Sequence, residues 1–348
     1  MDIKVNETPV RTSRNFRINN ITINNIDIPK KLNEFKNVDI FADKALIEKD
    51  VSLLNLAYGN GEILKENVQN EANNVLKITT NGINKQIRLI YTFDKENLNL
   101  INNIEFIINH DSNITILYKS NTNKVCFHNG IIRLIAKDNV KVNISIINML
   151  NNNSYNFDTI DNKLESNSNV KYTIVDFGGK YSVSNYYSNI VGKNAKNDLR
   201  SIYLGIDSQI KDINYIAELK GENTDINIDV QGALKDKARK NFKGTIDFKK
   251  GCKKAKGDEN EFCMLLSPEA KSIALPMLLC TEDDVEGNHS TASGKVDEKS
   301  LFYIMSRGFS ENEAIKLIVR ARFNKIIERI KDEKIKENIL LQIDERLN

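Results

Sequence analysis

Three histidines and four cysteines hold most of the metal and nucleophile chemistry open to this sequence: His110, His128 and His289, with Cys126, Cys252, Cys263 and Cys280. None of the cysteines stands in Cys-x-x-Cys spacing, so a preformed zinc or cluster site within the chain is not expected. Cys126 and His128 lie two apart in the strand-like run Lys-Val-Cys-Phe-His, which turns both to one face. That geometry allows a metal pair, but no further donor lies near in sequence, and a free cysteine in such a run is commonly a small core residue. Cys252 sits among lysines in Lys249-Lys-Gly-Cys-Lys-Lys. Those neighbours favour its thiolate and raise its reactivity, against the plainer reading of an exposed incidental thiol. Cys263 and Cys280 occur in apolar runs and read as core residues. His289 follows the acidic stretch Glu282-Asp283-Asp284 near a strand-to-helix junction. An imidazole there can ligate iron, with carboxylates tuning its basicity, although a lone histidine more often serves as a structural hydrogen-bonding group.

Enzyme motifs are mostly missing. Ser293-Gly294-Lys295 is followed by Val296 where a phosphate loop needs Ser or Thr, and His289 stands where its first glycine belongs. There is neither a His-Glu-x-x-His zinc pattern nor a Gly-x-Ser-x-Gly elbow. A sugar-cleaving site needs paired carboxylates, and the run at 282–284 is too isolated to supply them. The chain is therefore expected not to be an enzyme.

The elements that must position these residues fall into three textures. In residues 1–70, a small N-terminal segment, Ile21/Ile23 and Ile26/Ile28 alternate with polar residues and are phase-shifted at Asn24-Asn25, which predicts extended pieces with a break. Asp43 to Leu56 reads as a helix closed by a Gly59-Asn60-Gly61 turn. Residues 71–296 carry short β-branched runs such as Ile114-Thr-Ile-Leu-Tyr and Val140-Lys-Val-Asn-Ile-Ser-Ile, separated by Asn, Asp, Lys and Gly clusters. No helical pattern interrupts them, so a sheet with crossover helices is disfavoured and a mainly β body is expected. Tandem strands with Asn-rich turns suit a parallel β-helix, although no fixed repeat period is visible. Residues 297–348 switch to helical spacing. Asp297 caps a first helix that Gly308 stops. Ser310 and Glu313 make a capping box for a second helix with a stripe from Ile315 to Ile330. Ile335, Ile339, Ile343 and Leu347 mark a third.

At 348 residues, with 40% hydrophobic and 28% charged side chains, the composition is that of a globular protein. A net charge of +3, from 50 basic and 47 acidic residues, gives no basic face for nucleic acid. No apolar stretch approaches the ~18 to 20 residues that span a bilayer, and the N-terminus carries no apolar signal region. The expectation is a cytoplasmic protein with reduced thiols and no membrane contact.

Residues 242–308 resemble the C-terminal half of the SufB/SufD family of iron–sulfur cluster assembly proteins. Phe242-Lys-Gly244-Thr-Ile246 is similar to the family's Phe-x-Gly-x-Ile strand, and Met264-Leu-Leu-Ser267 to its Leu-Leu-Leu-Ser element. Ala270, Pro276 and Asp283-Asp284-Val285 then lead at the family's spacing to His289, and Leu301-Phe-Tyr-Ile-Met-Ser-Arg-Gly308 closes the match. Asp-Asp-Val before the histidine, and Ser290 in place of the SufB glutamate after it, make the chain resemble SufD more than SufB. Two departures stand out. Glu261 falls where SufB carries its cluster-building cysteine, leaving Cys263 as a near neighbour, and Gly287 replaces a cysteine common in SufD.

The resemblance implies a right-handed parallel β-helix core and a C-terminal helical domain. It further implies a heterodimer with a SufB-type subunit and binding to a SufC-type ATPase. The surface for that ATPase would be Tyr303, Met305, Arg307, Gly308 and Phe309 with Ile315 and Ile318 of the following helix, whose stripe must also pack on the β body. No cofactor is expected to be held firmly; an iron–sulfur cluster would pass transiently through the subunit interface, with His289 as the matched candidate ligand. The alternative is a homodimeric, self-sufficient scaffold using His289 and Cys263.

Overall fold

The computed structural model describes residues 1–11, 18–51 and 56–348, apart from the side chains of residues 84 and 85. The chain opens with strands β1 (Ile3–Val5), β2 (Ile21–Ile23), β3 (Val38–Ala42) and β4 (Ala45–Glu48), then helix α1 (Glu62–Glu71). A run of strands follows: β5 (Asn74–Thr80), β6 (Asn84–Phe93), β7 (Asn99–Ile108), β8 (Ser112–Ser120), β9 (Phe127–Ala136), β10 (Lys141–Met149), β11 (Tyr155–Leu164) and β12 (Asn169–Asp176). It continues through β13 (Tyr181–Ile190), β14 (Lys196–Gly205), β15 (Ile210–Leu219), β16 (Asp225–Leu234), β17 (Arg239–Phe248), β18 (Ala255–Leu265), β19 (Lys271–Cys280) and β20 (Val285–Lys295). Helices α2 (Glu298–Met305), α3 (Glu311–Ile327) and α4 (Glu333–Leu347) end it.

From β5 onward the strands alternate between two sheets and pair in parallel only with the strand two places away, which makes a parallel β-solenoid of eight coils. The antiparallel pairs β3·β6 and β4·β5 close its first end. Even-numbered strands form one sheet and odd-numbered strands the other, with lumen residues stacking in register coil upon coil. Tyr91 stacks on Tyr118 at 5.3 Å between ring centroids, and Tyr186 meets Tyr215 edge-on at 5.8 Å.

The coil length is uneven, which hides the repeat from a search for a fixed period. Phe127, Tyr155, Tyr181, Ile210, Arg239 and Lys271 are successive register partners, in steps of 28, 26, 29, 29 and 32 residues. The corners are steadier. Asn139, Asn167, Asn194 and Asn223 all adopt positive φ, a conformation asparagine tolerates better than other side chains. Each amide donates to the asparagine one coil below: Asn167 to Asn139 at 3.0 Å, Asn194 to Asn167 at 2.9 Å and Asn223 to Asn194 at 2.7 Å.

Both outer faces are covered by the chain itself. On the odd-strand sheet, Ile3, Val5, Ile23 and Ile26 pack with Phe157 and Val183, while Val68 of α1 packs with Ile101 and Ile131. On the even-strand sheet, Val319, Phe323, Ile326, Ile339 and Ile343 of α3 and α4 cover Ile147, Val175, Phe177 and Ile202. Each large side chain so buried contributes roughly 1.5–3 kcal/mol.

The helical tail agrees with its expected caps. Asp297 accepts from Ser300 N at 2.8 Å, and the Ser310/Glu313 capping box is closed. Gly308, with φ +94°, lies two residues past the Ser306 cap and not immediately after it. The helix expected over 43–56 is corrected: Ala45–Glu48 is a strand paired with β5, and residues 52–55 lie outside the described residues. The Gly59-Asn60-Gly61 turn opens a helix instead of closing one. No helix among the described residues is long and apolar enough to cross a membrane.

Candidate functional site

Strands β19 and β20 form the last coil and stand at the ends of their sheets, each with one edge unpaired among the described residues. The lumen is therefore open at this end, and the inward positions of the last two coils line it. On β18 the burial alternates so that Gly257, Glu259, Glu261 and Cys263 face inward. Parallel pairing in register sets Gly287 over Gly257, His289 over Glu259, Thr291 over Glu261 and Ser293 over Cys263.

His289 is exposed on the lumen-facing side of the terminal strand. Below it, Glu259 is fully buried, and neither carboxylate oxygen has a protein hydrogen-bond partner. Burial, reinforced by the neighbouring Glu261 charge, pushes its carboxyl up to about 8. Room for this carboxyl comes from Gly244 of β17: a Cβ there would lie 2.2 Å from both carboxylate oxygens. Glu261, in contrast, is paired. Lys240 Nζ sits 2.8 Å from its Oε1, and the Tyr203 hydroxyl donates to the same atom at 2.9 Å. Cys263 is buried beside this group. Burial raises its thiol above the ordinary value, and the Lys240 ammonium opposes that rise.

The structure does not bring His289 and Cys263 together. Their positions are four residues apart along adjacent strands, about 13 Å at the rise of a strand, and Cys263 lies under the terminal coil. No group of three or more His, Cys, Asp or Glu side chains among the described residues is placed to hold a metal ion.

The Cys126/His128 pairing also resolves into separate structural roles. His128 is buried with Nδ1 2.6 Å from Asn156 Oδ1 and Nε2 3.0 Å from Asn102 Oδ1, and burial lowers its pKa to about 4. Cys252 is a correction: it is buried, and burial with the nearby Glu282 charge pushes its thiol up to about 11, so the flanking lysines do not make it a reactive thiolate. Cys280, expected in the core, is the exposed thiol.

The second candidate surface is α2 with the turn after it. Nothing on α2 is buried: Phe302 is 75% exposed, Tyr303 59%, Met305 41% and Phe309 45%. Four large apolar side chains within eight residues are exposed together, the kind of patch that marks a docking surface. The Arg307 guanidinium lies over the Tyr303 ring at 4.9 Å and donates to its hydroxyl at 2.9 Å, holding the turn ahead of Gly308. Ile315 and Ile318 of α3 are half-buried against the β body, and the rest of that stripe is consumed there. Sequence reasoning missed Glu259; its only signal was a carboxylate on the inward phase of an apolar strand.

A family model for the SUF-system FeS cluster assembly SufBD core domain matches residues 91–322. The iron–sulfur cluster assembly protein SufD of Bacillus subtilis is 24% identical over 268 residues, 75% of this chain and 61% of that protein. An iron–sulfur cluster assembly SufBD family protein of Mycobacterium leprae is 26% identical over 204 residues, 59% of this chain but 23% of its own length. Another from Staphylococcus saprophyticus is 27% identical over 192 residues, 55% of this chain and 41% of that protein. The chain thus spans about a quarter of the mycobacterial relative and less than two thirds of the other two.

Proposed function

Because the chain belongs to the SufBD family of SUF-system iron–sulfur cluster assembly proteins, we propose that it is a SufD-like, non-enzymatic subunit of a cluster assembly scaffold. In this reading it docks a SufB-type subunit at the open end of the solenoid and a SufC-type ATPase on its helical tail. The observation that carries it is the contrast between covered and uncovered surface. Both sheet faces are sealed by the chain's own N-terminal segment and by α3 and α4, whereas the edges of β19 and β20 and the aromatic side of α2 are left open. Free strand edges invite pairing with another chain, and exposed aromatics beside an arginine are typical interface anchors.

The chain's part would be to present surfaces and ligands. Nucleotide hydrolysis would belong to the ATPase partner, and the cluster is cargo in the cytoplasm, held briefly where the partner subunit meets His289. SufD-type work is favoured over a self-sufficient scaffold because the two ligands that reading needs, His289 and Cys263, are separated by about 13 Å of strand.

Affinity purification from cells co-expressing SufB-type and SufC-type proteins tests this. Both should co-purify with the intact chain. A Phe302→Ala/Tyr303→Ala/Phe309→Ala variant, which leaves α3 and α4 on the sheet, should release the ATPase and leave the SufB-type subunit bound, and Phe302→Ala alone should weaken ATPase capture at least tenfold with the melting temperature unchanged. Retention of the ATPase by the triple variant, or failure of the intact chain to capture either partner, would overturn the reading.

A further inference from the structure

Arg346, in the last turn of α4, is a half-buried guanidinium held only by neutral oxygens among the described residues. It donates to Asn152 Oδ1 at 2.7 Å, to Leu150 O at 3.4 Å and to Gln342 Oε1 at 3.4 Å. Two other arginines of the helical tail are paired: Arg320 with Asp344 at 2.9 Å and Arg329 with Asp198 at 3.2 Å. The acids whose charge reaches Arg346 are engaged elsewhere. Asp176 holds the Lys211 ammonium at 2.9 Å, Asp207 accepts from the Asn152 amide at 3.3 Å and Glu345 from the Gln342 amide at 2.7 Å. Burial pulls the Arg346 pKa down to about 10, so these acids leave its charge under-compensated. A charge withdrawn from water normally has a partner of opposite sign.

Arg346 lines a cleft of about 660 Å³ between α4 and the coil corners. Lys95 from the β6–β7 loop, Lys119 from the end of β8 and Lys124 from the β8–β9 loop line it too, with the buried Met149 at the end of β10. No Asp or Glu does. A cleft lined by one sign of charge concentrates counter-ions. The volume is that of a small-molecule site, roughly 300–1,000 Å³, and exceeds what a single ion fills. Four cations spread over such a space suit a ligand with several negative groups. The arginine fork matches two oxygens of a phosphate, and lysines act as point charges on the rest.

We propose that the cleft between α4 and the ends of β6 and β8 binds a small oligophosphate, with Arg346 as its two-pronged anchor and Lys95, Lys119 and Lys124 as its neutralising cations. This goes beyond the docking reading and does not depend on it, since the cleft shares no residue with α2 or the terminal coil.

Calorimetry on the full chain at low ionic strength, with EDTA present, compares orthophosphate, tripolyphosphate, ATP and citrate. Tripolyphosphate and ATP distinguish a free phosphate chain from one carried on a nucleoside. At least one of them should bind about tenfold or more tighter than orthophosphate and citrate. Lys95→Gln/Lys119→Gln/Lys124→Gln should weaken that ligand about tenfold or more. Lys163→Gln/Lys193→Gln/Lys220→Gln removes the same charge at the ends of odd-numbered strands, and should change affinity by no more than about twofold. Arg346→Lys keeps the charge and loses the fork, so it should weaken binding about fivefold; full affinity in that variant would overturn the proposal. So would no binding of any phosphate compound, citrate binding as tightly as tripolyphosphate, or equal losses in the two triple variants. The exposed lysines decide the matter even where a change at Arg346 disturbs the fold.

Discussion

Replacing Lys243 by methionine tests how the N-terminal segment is fastened to the solenoid. Lys243 and Asp212 are both fully buried, 2.5 Å apart, on the outer face of the odd-strand sheet. The Lys243 ammonium also donates to Asn6 O at 2.8 Å, and the Asn6 amide donates to Asp212 Oδ1 at 2.6 Å. Asn6 itself sits at φ +59° with its side chain fully buried, so this cluster ties residues 1–10 across β13, β15 and β17. Methionine fills the volume of the lysine stem but leaves the Asp212 carboxylate without a cation. Removing one partner of a buried pair costs about 3–5 kcal/mol, most of it the uncompensated charge. Asp212 keeps the amides of Asn6 and Asn241 as donors, which places the expected cost near the lower end, about 3 kcal/mol. Adding Asp212→Asn removes the stranded charge, so the double variant should be more stable than Lys243→Met alone. Urea unfolding of the four proteins gives the cycle, and hydrogen exchange over residues 1–10 reports local release of the segment. A cost below about 1 kcal/mol for Lys243→Met, or a double variant no better than the single one, would refute this account of the pair.

Three further outcomes are expected. Asn194→Ala should cost about 1–2 kcal/mol in urea unfolding, because it loses the bridge from Asn167 to Asn223 and strains a φ of +58°; Asn194→Gly relieves the strain alone and should recover part of the loss. Gly232→Ala should destabilise by at least about 1–3 kcal/mol, since its Cβ would lie 1.8 Å from the fully buried Tyr203 ring; a melting temperature equal to the parent's would contradict that packing. In maleimide labelling of the native chain, Cys280 should react quickly while Cys126, Cys252 and Cys263 react only on unfolding, and fast labelling of Cys252 would restore the cationic-loop reading.

What the sequence revealed depended on how local the signal was. The starts of the first two tail helices were readable to the residue because caps are local: Asp297, Ser310 and Glu313 act on backbone groups within one turn. The β body was legible as texture but not as coils, since coil length drifts between 26 and 32 residues where the chain turns between sheets. A better register mark was present in Asn139, Asn167, Asn194 and Asn223, whose common positive φ and side-chain ladder come from stacking and not from the local sequence. The segment over 43–56 misled because Ala45, Leu46 and Glu48 are good helix formers, while pairing with β5 decides the outcome. At the open end, His289 was singled out by its acidic neighbours and then matched through a resemblance. Glu259 was not, because one buried carboxylate in Asp258-Glu-Asn-Glu261 looks like a solvated run until the strand phase is known.

The two unsealed surfaces differ in what they can do. Alpha-helix α2 offers apolar area and an arginine with no buried acid or thiol beneath, so it suits a partner that is gripped mechanically. It follows β20 directly through Val296 and packs on α3, whose stripe is locked to the body by the Phe177–Phe323 stack at 6.3 Å and by Arg329 paired to Asp198 at 3.2 Å. A force applied at α2 is therefore passed to the even-strand sheet, which ends in β20 and His289. The open end combines titratable groups with unpaired backbone, so under the proposed docking a partner would pair there edge to edge beside His289. Under the proposed docking, work done by an ATPase on α2 would reach the open end by two routes, directly along the chain into β20 and through α3 onto β14, β16 and β18. Breaking the Arg329–Asp198 pair with Arg329→Met should loosen that coupling while leaving both partners bound. The measurable result is cluster assembly falling with capture of each partner intact, and unchanged assembly would show that the path through α3 carries no load.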